Sequence, residues 1–339
     1  MKQPAPILTL QNLRLGYGLQ STHQVVADSL NEAVEAQEMI ALIGPNGTGK
    51  STLLRTLAKM QKPLDGTINL LGTNISHLSA KEIARDISVI LTDRADVGYI
   101  KAADVVAMGR FPHTGWFGFL SDSDRQKIDQ AITFTHIEQL LNKSLHQLSD
   151  GERQKVMIAR ALAQDTPLML LDEPTTHLDI ANRVSIIRLL RTLTLNAGKT
   201  IIFSTHDIEL ALQVADRIWL MHDQSLVSGA PEDMVLTGKL TQVMGSDVAP
   251  FDLHTGTFRI QPSGQQIIGL QGSGSSAYWT QRALERIGYQ VRSSAAIMVR
   301  VSEEGEWKLS KGEQLCRCHS IEELISILKH THPIIAPVT

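Results

Sequence analysis

Apolar and polar residues alternate from Ile7 to Tyr17, with Leu8, Leu10, Leu13 and Leu15 on one face, which predicts a half-buried strand at a sheet edge. A second pattern follows: Glu38-Met39-Ile40-Ala41-Leu42-Ile43 is a short, nearly continuous apolar run that ends in a glycine-rich stretch. After Lys50 the apolar positions Leu53, Leu54 and Leu57 fall on one face of a helix, so the local order is strand, loop, helix. Further buried strands are expected at Ile87 to Leu91, Leu168 to Leu171, Thr200 to Ser204 and Arg217 to Met221. Helical stretches separate the later ones, and that alternation predicts a largely parallel sheet flanked by helices. Between Leu91 and Thr166 the pattern turns helical, at Ala102 to Met108, Asp122 to Thr135, Ile137 to Leu141 and Asp150 to Ala163, and marks a helical insertion at about 92–165. The pattern breaks again near Gly245 to Pro250, where a new strand-helix-strand series begins. A boundary at about residue 248 therefore divides a domain over 1–248 from a small α/β appendix over 249–339.

Length agrees with that division, because 339 residues exceed one domain of average size. A net charge of -3 gives no general basic surface for nucleic acid. No apolar run reaches the roughly 18–20 residues a bilayer span needs, and the N-terminus lacks the charged-then-apolar order of a signal peptide. The expectation is a soluble, cytoplasmic chain. The two cysteines, Cys316 and Cys318, are too close in sequence for an ordinary disulfide staple, which is consistent with a reducing compartment.

The loop after the Glu38–Ile43 run carries the first chemistry. Gly44, Gly49, Lys50 and Ser51 meet the P-loop pattern G-x-x-x-x-G-K-[ST]. Glycines let the backbone of Gly44-Pro45-Asn46-Gly47-Thr48-Gly49-Lys50-Ser51-Thr52 wrap a phosphate, so that amide N–H groups and a helix N-terminus face its charge. Lys50 would reach the β- and γ-phosphates of ATP, and the Ser51 hydroxyl would ligate Mg2+. Downstream, Leu168 to Leu171 delivers Asp172 and Glu173 at the end of a strand, beside the phosphate loop in such a sheet. Asp172 would hold Mg2+ through water, while Glu173 would orient and deprotonate the attacking water. His206 follows the strand Thr200 to Ser204 and would emerge at the same edge, either as a structural residue or near the γ-phosphate.

Ser149 and Glu152 form a capping-box pattern at the start of the helix Asp150 to Ala163, which by itself is only a helix start. Placed between a P-loop and a carboxylate strand, Leu148-Ser149-Asp150-Gly151-Glu152-Arg153-Gln154 resembles the signature motif of the ABC ATPases, commonly LSGGQ. The resemblance runs from about residue 7 to 245 with the motifs in the family's order. It implies a P-loop NTPase of the ABC nucleotide-binding type: an α/β domain with a mostly parallel core sheet, an antiparallel N-terminal sheet and a helical subdomain. It also implies a head-to-tail homodimer that closes over two ATP molecules, Ser149 and Gly151 serving the partner's γ-phosphate. Tyr17 matches the aromatic that stacks on adenine, and Asp179, in Thr176-His177-Leu178-Asp179, matches the D-loop at the dimer interface. Asp93, in Ile90-Leu91-Thr92-Asp93-Arg94, stands at the Q-loop position where the family has Gln. That departure puts coupling to the membrane partner in doubt, since it brings a charge near the metal.

Gly109-Arg110-Phe111-Pro112-His113 is similar to a segment of the importer ATPases that serve iron-siderophore, haem and cobalamin uptake. The implied protein is a peripheral subunit on the inner face of the cell membrane. It would power a separate permease fed by a periplasmic or extracellular binding protein that the chain never touches. A soluble ABC ATPase of cluster assembly or repair, and the motor of a multi-subunit exporter, are the alternatives. In the appendix, Gly272, Gly274 and Ala277 fit G-x-G-x-x-[GA], but Val291 to Val301 lacks the acidic residue a dinucleotide site wants. A structural or regulatory appendix and an anion or effector site stay open there. Cys316-Arg317-Cys318-His319 offers too few ligands for a structural metal.

Overall fold

The computed structural model describes residues 5–18, 24–91, 99–115, 118–244, 251–252, 257–258, 264, 266–302, 306–312 and 314–331. The chain forms two compact units, Met1–Gly245 with Leu253–Thr257, and Ser246–Asp252 with Phe258–Thr339.

The first unit opens with β1 (Leu8–Tyr17) and β2 (Gln24–Val34), an antiparallel pair with irregular register between Leu10 and Gly16. Next come β3 (Met39–Ile43), the glycine-rich loop and α1 (Lys50–Leu57), then β4 (Asp65–Leu70) and β5 (Thr73–Asn74). The first sheet has the order β2-β1-β4-β5 and is antiparallel throughout. β1 was expected at a sheet edge and instead lies between two strands. Its alternation reports that one face is buried, and says nothing of how many neighbours share its backbone hydrogen bonds.

After α2 (Ala80–Asp86) and β6 (Ile87–Ile90) the chain enters its helical region: α3 (Ala102–Met108), α4 (Asp122–Thr135) and α5 (Asp150–Ala163). The helix expected over Ile137–Leu141 is one 3-10 turn, Glu138–Leu140. Gly109 lets α3 approach α5, since a Cβ there would sit 2.3 Å from the Arg160 carbonyl oxygen. The next residue clamps the three helices: buried Arg110 donates to Asp124 on α4 (2.8 Å) and to the Ala163 carbonyl at the end of α5 (2.7 Å). Ser121 caps α4 on the same carboxylate, and its hydrogen bonds together with Arg110 hold Asp124 down at about 2. His113 bonds the Gln164 carbonyl (2.8 Å), so Gly109 to His113 is a packing device whatever else it does.

The core sheet is completed by β7 (Leu168–Leu171), α6 (Ile180–Ala197), β8 (Thr200–Ser204), α7 (Ile208–Val214), β9 (Arg217–His222) and β10 (Ser225–Gly229). Its order is β10-β9-β3-β8-β7-β6; every pair is parallel except the hairpin of β9 and β10. Every residue of β3, β7 and β8 is buried, as a parallel strand covered on both faces requires. Each fully buried Leu among them contributes roughly 1.5–3 kcal/mol. Two short helices, α8 (Pro231–Leu236) and α9 (Lys239–Met244), end the unit.

β11 (Phe251–Asp252) and β12 (Thr257–Phe258) make a two-stranded ribbon. The second unit then runs β13 (Ile267–Gln271), α10 (Gly274–Arg286), β14 (Gln290–Arg292), β15 (Ile297–Val301), β16 (Trp307–Lys311), β17 (Gln314–Cys318) and α11 (Ile321–Thr331). Its sheet has the order β14-β13-β15-β16-β17, with β13 parallel to both neighbours and the rest antiparallel. Ile268, Leu284, Tyr289, Val299, Leu324 and Leu328 fill its core. Cys316 and Cys318 are free thiols, and burial together with the adjacent Cys316 pushes Cys318 up to about 11, which leaves it unreactive. Among the described residues no group of three or more His, Cys, Asp or Glu could hold a metal, and no helix is long and apolar enough to cross a membrane.

Candidate nucleotide site

The site begins where β3 stops. Gly44, Gly47 and Gly49 take φ values of 151, 81 and 100, a run of left-handed turns that L side chains resist. Crowding adds to this: a Cβ on Gly44 would lie 2.3 Å from the Met221 carbonyl oxygen, and one on Gly49 would lie 2.0 Å from Val26 Cγ1. Thr48 steadies the loop by donating to the Pro45 carbonyl (3.0 Å), while Asn46 and Gly47 stay exposed at its tip. Gly49 is the N-cap of α1 and offers no side chain, so the amides of the first turn remain available to an anion.

Lys50 is only 6% exposed and folds back over the loop, its Nζ donating to the carbonyls of Gly44 (2.8 Å) and Pro45 (3.0 Å). Burial lowers its pKa, opposed by the charges of Glu173 and Asp172. The two carboxylates come from the end of β7, and the backbone N–H of Asp172 still bonds Ile90 on β6 (2.8 Å). Ser51 donates to Asp172 Oδ1 (3.1 Å), and so does Ser204 from the end of β8 (2.7 Å). The Ser204 Oγ also accepts from the Glu173 backbone N–H (2.8 Å). One hydroxyl thus ties both carboxylate residues to the neighbouring strand.

Glu173 sits at φ 49, a left-handed conformation that costs a non-glycine residue about 1–2 kcal/mol. Three contacts hold it there: the Ser204 bond, the Thr176 hydroxyl donating to Oε2 (2.8 Å), and His206 Nε2 at 2.6 Å from Oε1. Burial works to raise the Glu173 pKa, but the Thr176 and His206 hydrogen bonds and the nearby Lys50 charge outweigh it and leave it lowered. The result is an ionised carboxylate, fixed on two sides, next to a lysine and a glycine-rich anion cradle. Ser51 and Asp172 supply neutral and charged oxygen donors at one spot, the donor class that a hard divalent cation takes.

Lys50, Ser51, Asp172, Glu173 and His206 are therefore brought together as the sequence predicted. Tyr17 joins them indirectly: its hydroxyl hydrogen-bonds the Thr52 hydroxyl on α1, and the residue is 48% exposed at the end of β1. Ser149 and Gly151 make their contacts with other groups. Ser149 caps α5 in a full capping box with Glu152, and Gly151 is buried against Asn182. Asp179 is the N-cap of α6 and accepts from the Asn182 backbone (2.7 Å) and side chain (3.2 Å). Asp93 lies outside the described residues. Sequence reasoning missed Ser204 and gave Thr176 no role of its own. The available signal for Ser204 was a polar residue closing the apolar run Ile201 to Phe203.

Known proteins are similar to this chain. Residues 27–176 match the ABC transporter family model, and residues 264–329 match that of the iron ABC transporter C-terminal domain. An uncharacterized ABC transporter ATP-binding protein of Methanocaldococcus jannaschii is 37% identical over 275 residues, which cover 80% of this chain and 93% of that one. The ferric enterobactin transport ATP-binding protein of Escherichia coli is 36% identical over 69% of this chain and 86% of its own. Among solved structures, the inward-facing conformation of a putative metal-chelate type ABC transporter matches with a TM-score of 0.62 and 28% identity, covering 72% of this chain and 90% of that chain. The dimeric post-hydrolysis structure of an ATP-binding cassette bound to ADP and Pi matches with a TM-score of 0.57 and 27% identity, covering 66% and 98%. With a phosphate loop, paired carboxylates and a capped signature helix on one α/β scaffold, the chain belongs to the ABC transporter family as an ATP-hydrolysing, ATP-binding subunit.

Proposed function

We propose that this subunit powers uptake of an iron chelate, siderophore or haem, or of cobalamin, through a separate membrane permease to which it binds on the cytoplasmic face. Two kinds of relative support the substrate class: the ferric enterobactin protein together with a Bacillus subtilis protein named for iron(3+)-hydroxamate import, and the iron-transporter domain matched by residues 264–329. A cobalamin import protein of Halobacterium salinarum, 29% identical over 87% of this chain, keeps cobalamin within the class. Substrate would come from an external binding protein that acts on the permease. The domain over 1–248 would carry the ATPase, and 249–339 would stabilise or regulate it.

The observation that carries the mechanism is the chain of contacts Ser51, Asp172, Ser204, Glu173 and His206, set beside a phosphate loop but holding no signature residue. Half a site implies a second copy. In a head-to-tail homodimer, the loop Gly44 to Thr52 of one copy would hold the triphosphate while Ser149 and Gly151 of the other donate to its γ-phosphate. Tyr17 would stack on adenine, and Asp179 would order the interface. Lys50, released from its loop carbonyls, would neutralise the β- and γ-phosphates. Ser51 and Asp172 would hold Mg2+, which supplies charge neutralisation on the phosphate oxygens. Glu173 would take a proton from the attacking water, and His206 would keep that carboxylate aimed while touching the γ-phosphate.

Glu173→Gln keeps the shape of the carboxylate and removes its basicity. With Mg2+ and ATP this variant is expected to elute as a stable dimer with bound ATP, and its turnover should fall at least a hundredfold. Normal turnover would remove Glu173 as the base.

A further inference from the structure

The first turn of α6 touches two loops that the proposed reaction uses. Asp179 holds Asn182 twice, by its backbone N–H and by its Nδ2. That grip turns the carboxamide onto the signature helix: a Cβ on Gly151 would lie 2.7 Å from Asn182 Cγ and Oδ1 and 3.0 Å from Nδ2. Gly151 is not among the positive-φ glycines, so a side chain there would meet no backbone strain and would instead have to displace the Asn182 amide. The adjacent Arg183 faces the other way, donating to the Leu178 carbonyl (2.9 Å) and pairing with Asp207 (3.5 Å), which follows His206.

We propose that Asn182 is a positioning residue that sets the Ser149–Gly151 turn against the γ-phosphate held by a second copy of this chain. This rests on the head-to-tail dimer proposed above. Asp179 and Gly151 would then work as one rigid surface, since the residue that orders the interface also grips the amide that buttresses the signature turn. An isolated subunit should bind ATP equally well with or without Asn182, because none of its contacts reaches the phosphate loop residues described above.

Action across the dimer can be separated from a local effect by placing two changes in different copies. In full-length chains carrying Glu173→Gln, Asn182→Ala is combined with Lys50→Ala, and occluded ATP per dimer is counted after rapid gel filtration from differently tagged pairs. If Asn182 serves the partner's site, a dimer with Asn182→Ala in one copy and Lys50→Ala in the other keeps one intact site and occludes one ATP. A dimer with both changes in one copy and neither in the other keeps none. The opposite pattern would assign Asn182 to its own copy's site, and equal counts would make it merely structural; either result overturns the proposal. Asn182→Asp, which replaces the amide held by Asp179 with a repelling carboxylate, should behave like the alanine variant in both pairings. Failure of the Glu173→Gln parent to occlude two ATP molecules would instead refute the dimer reading.

Discussion

Two glycine-rich turns in this chain share a local design and differ in everything around them. In both, a central strand with parallel neighbours on each side ends in left-handed glycines and opens a helix: β3 with Gly44 to Gly49 and α1, and β13 with Gly272, Gly274 and α10. Both helices point free amides past their N-terminal ends, and neither N-cap makes a side-chain bond. At the first turn, however, the sheet also delivers Asp172, Glu173 and Ser204, and a lysine lies folded over the loop. At the second, the flanking strands end in Arg292 and Val301, and Arg300 donates to Gln271 (3.1 Å). A glycine turn before a helix thus presents the backbone amides that can cradle an anion. The strand ends beside it are what turn a cradle into a reaction site.

The largest effect that would sharpen this contrast is the loss of the lysine. Lys50→Ala should lower ATP turnover on the order of a hundred- to a thousandfold, about 3–4 kcal/mol of transition-state stabilisation. Ser275→Ala, in the first turn of α10, should leave turnover unchanged in the same steady-state assay. A Lys50→Ala enzyme with near-normal turnover would break the comparison at its centre. Smaller effects are expected from the glycines. Gly49→Ala forces a left-handed alanine, about 1–2 kcal/mol, and drives a methyl into Val26, about 1–3 kcal/mol more. Gly274→Ala meets open space at φ 75, so only the backbone cost applies. Urea unfolding should therefore rank Gly49→Ala well below Gly274→Ala in stability, with ATPase activity lost only in the first.

The order of motifs was legible because each one is a local pattern. Gly44 to Ser51, the Leu168–Glu173 run and the Ser149 capping box each occupy a few consecutive residues, and the structure places them on strand end, strand end and helix start. What stayed hidden depends on contacts between distant segments. Ser204 is one hydroxyl at the end of an apolar strand, and nothing nearby shows that it will bridge Asp172 and Glu173 some thirty residues earlier. Asn182 is one polar residue in the first turn of a helix, and only the fold sets Gly151 beneath its amide. The position of β1 within its sheet was equally hidden, because alternation fixes faces and not neighbours. In Gly109 to His113 the sequence suggested a family mark, and the structure adds the physical role of Arg110 as the buried tie among three helices.

The smallest effect concerns the carboxylate held beside the first turn. Glu173 is partly buried, and burial alone would raise its pKa; the hydrogen bonds from Thr176 and His206 reverse that and leave it lowered. A lowered pKa means the base stays ionised as pH falls and is lost only below the usual carboxylate range. Thr176→Ala removes the strongest of the lowering contacts while burial remains, so Glu173 should become protonated at a higher pH than in the parent. At pH 8 both forms are ionised and kcat should differ little. Lowering the pH toward the carboxylate range should widen the ratio of parent to variant kcat, as the variant loses its base first. A ratio that stays constant across that range would show that Thr176 does not tune the carboxylate. What Glu173 adds beside the first turn would then rest on its presence and not on how it is held.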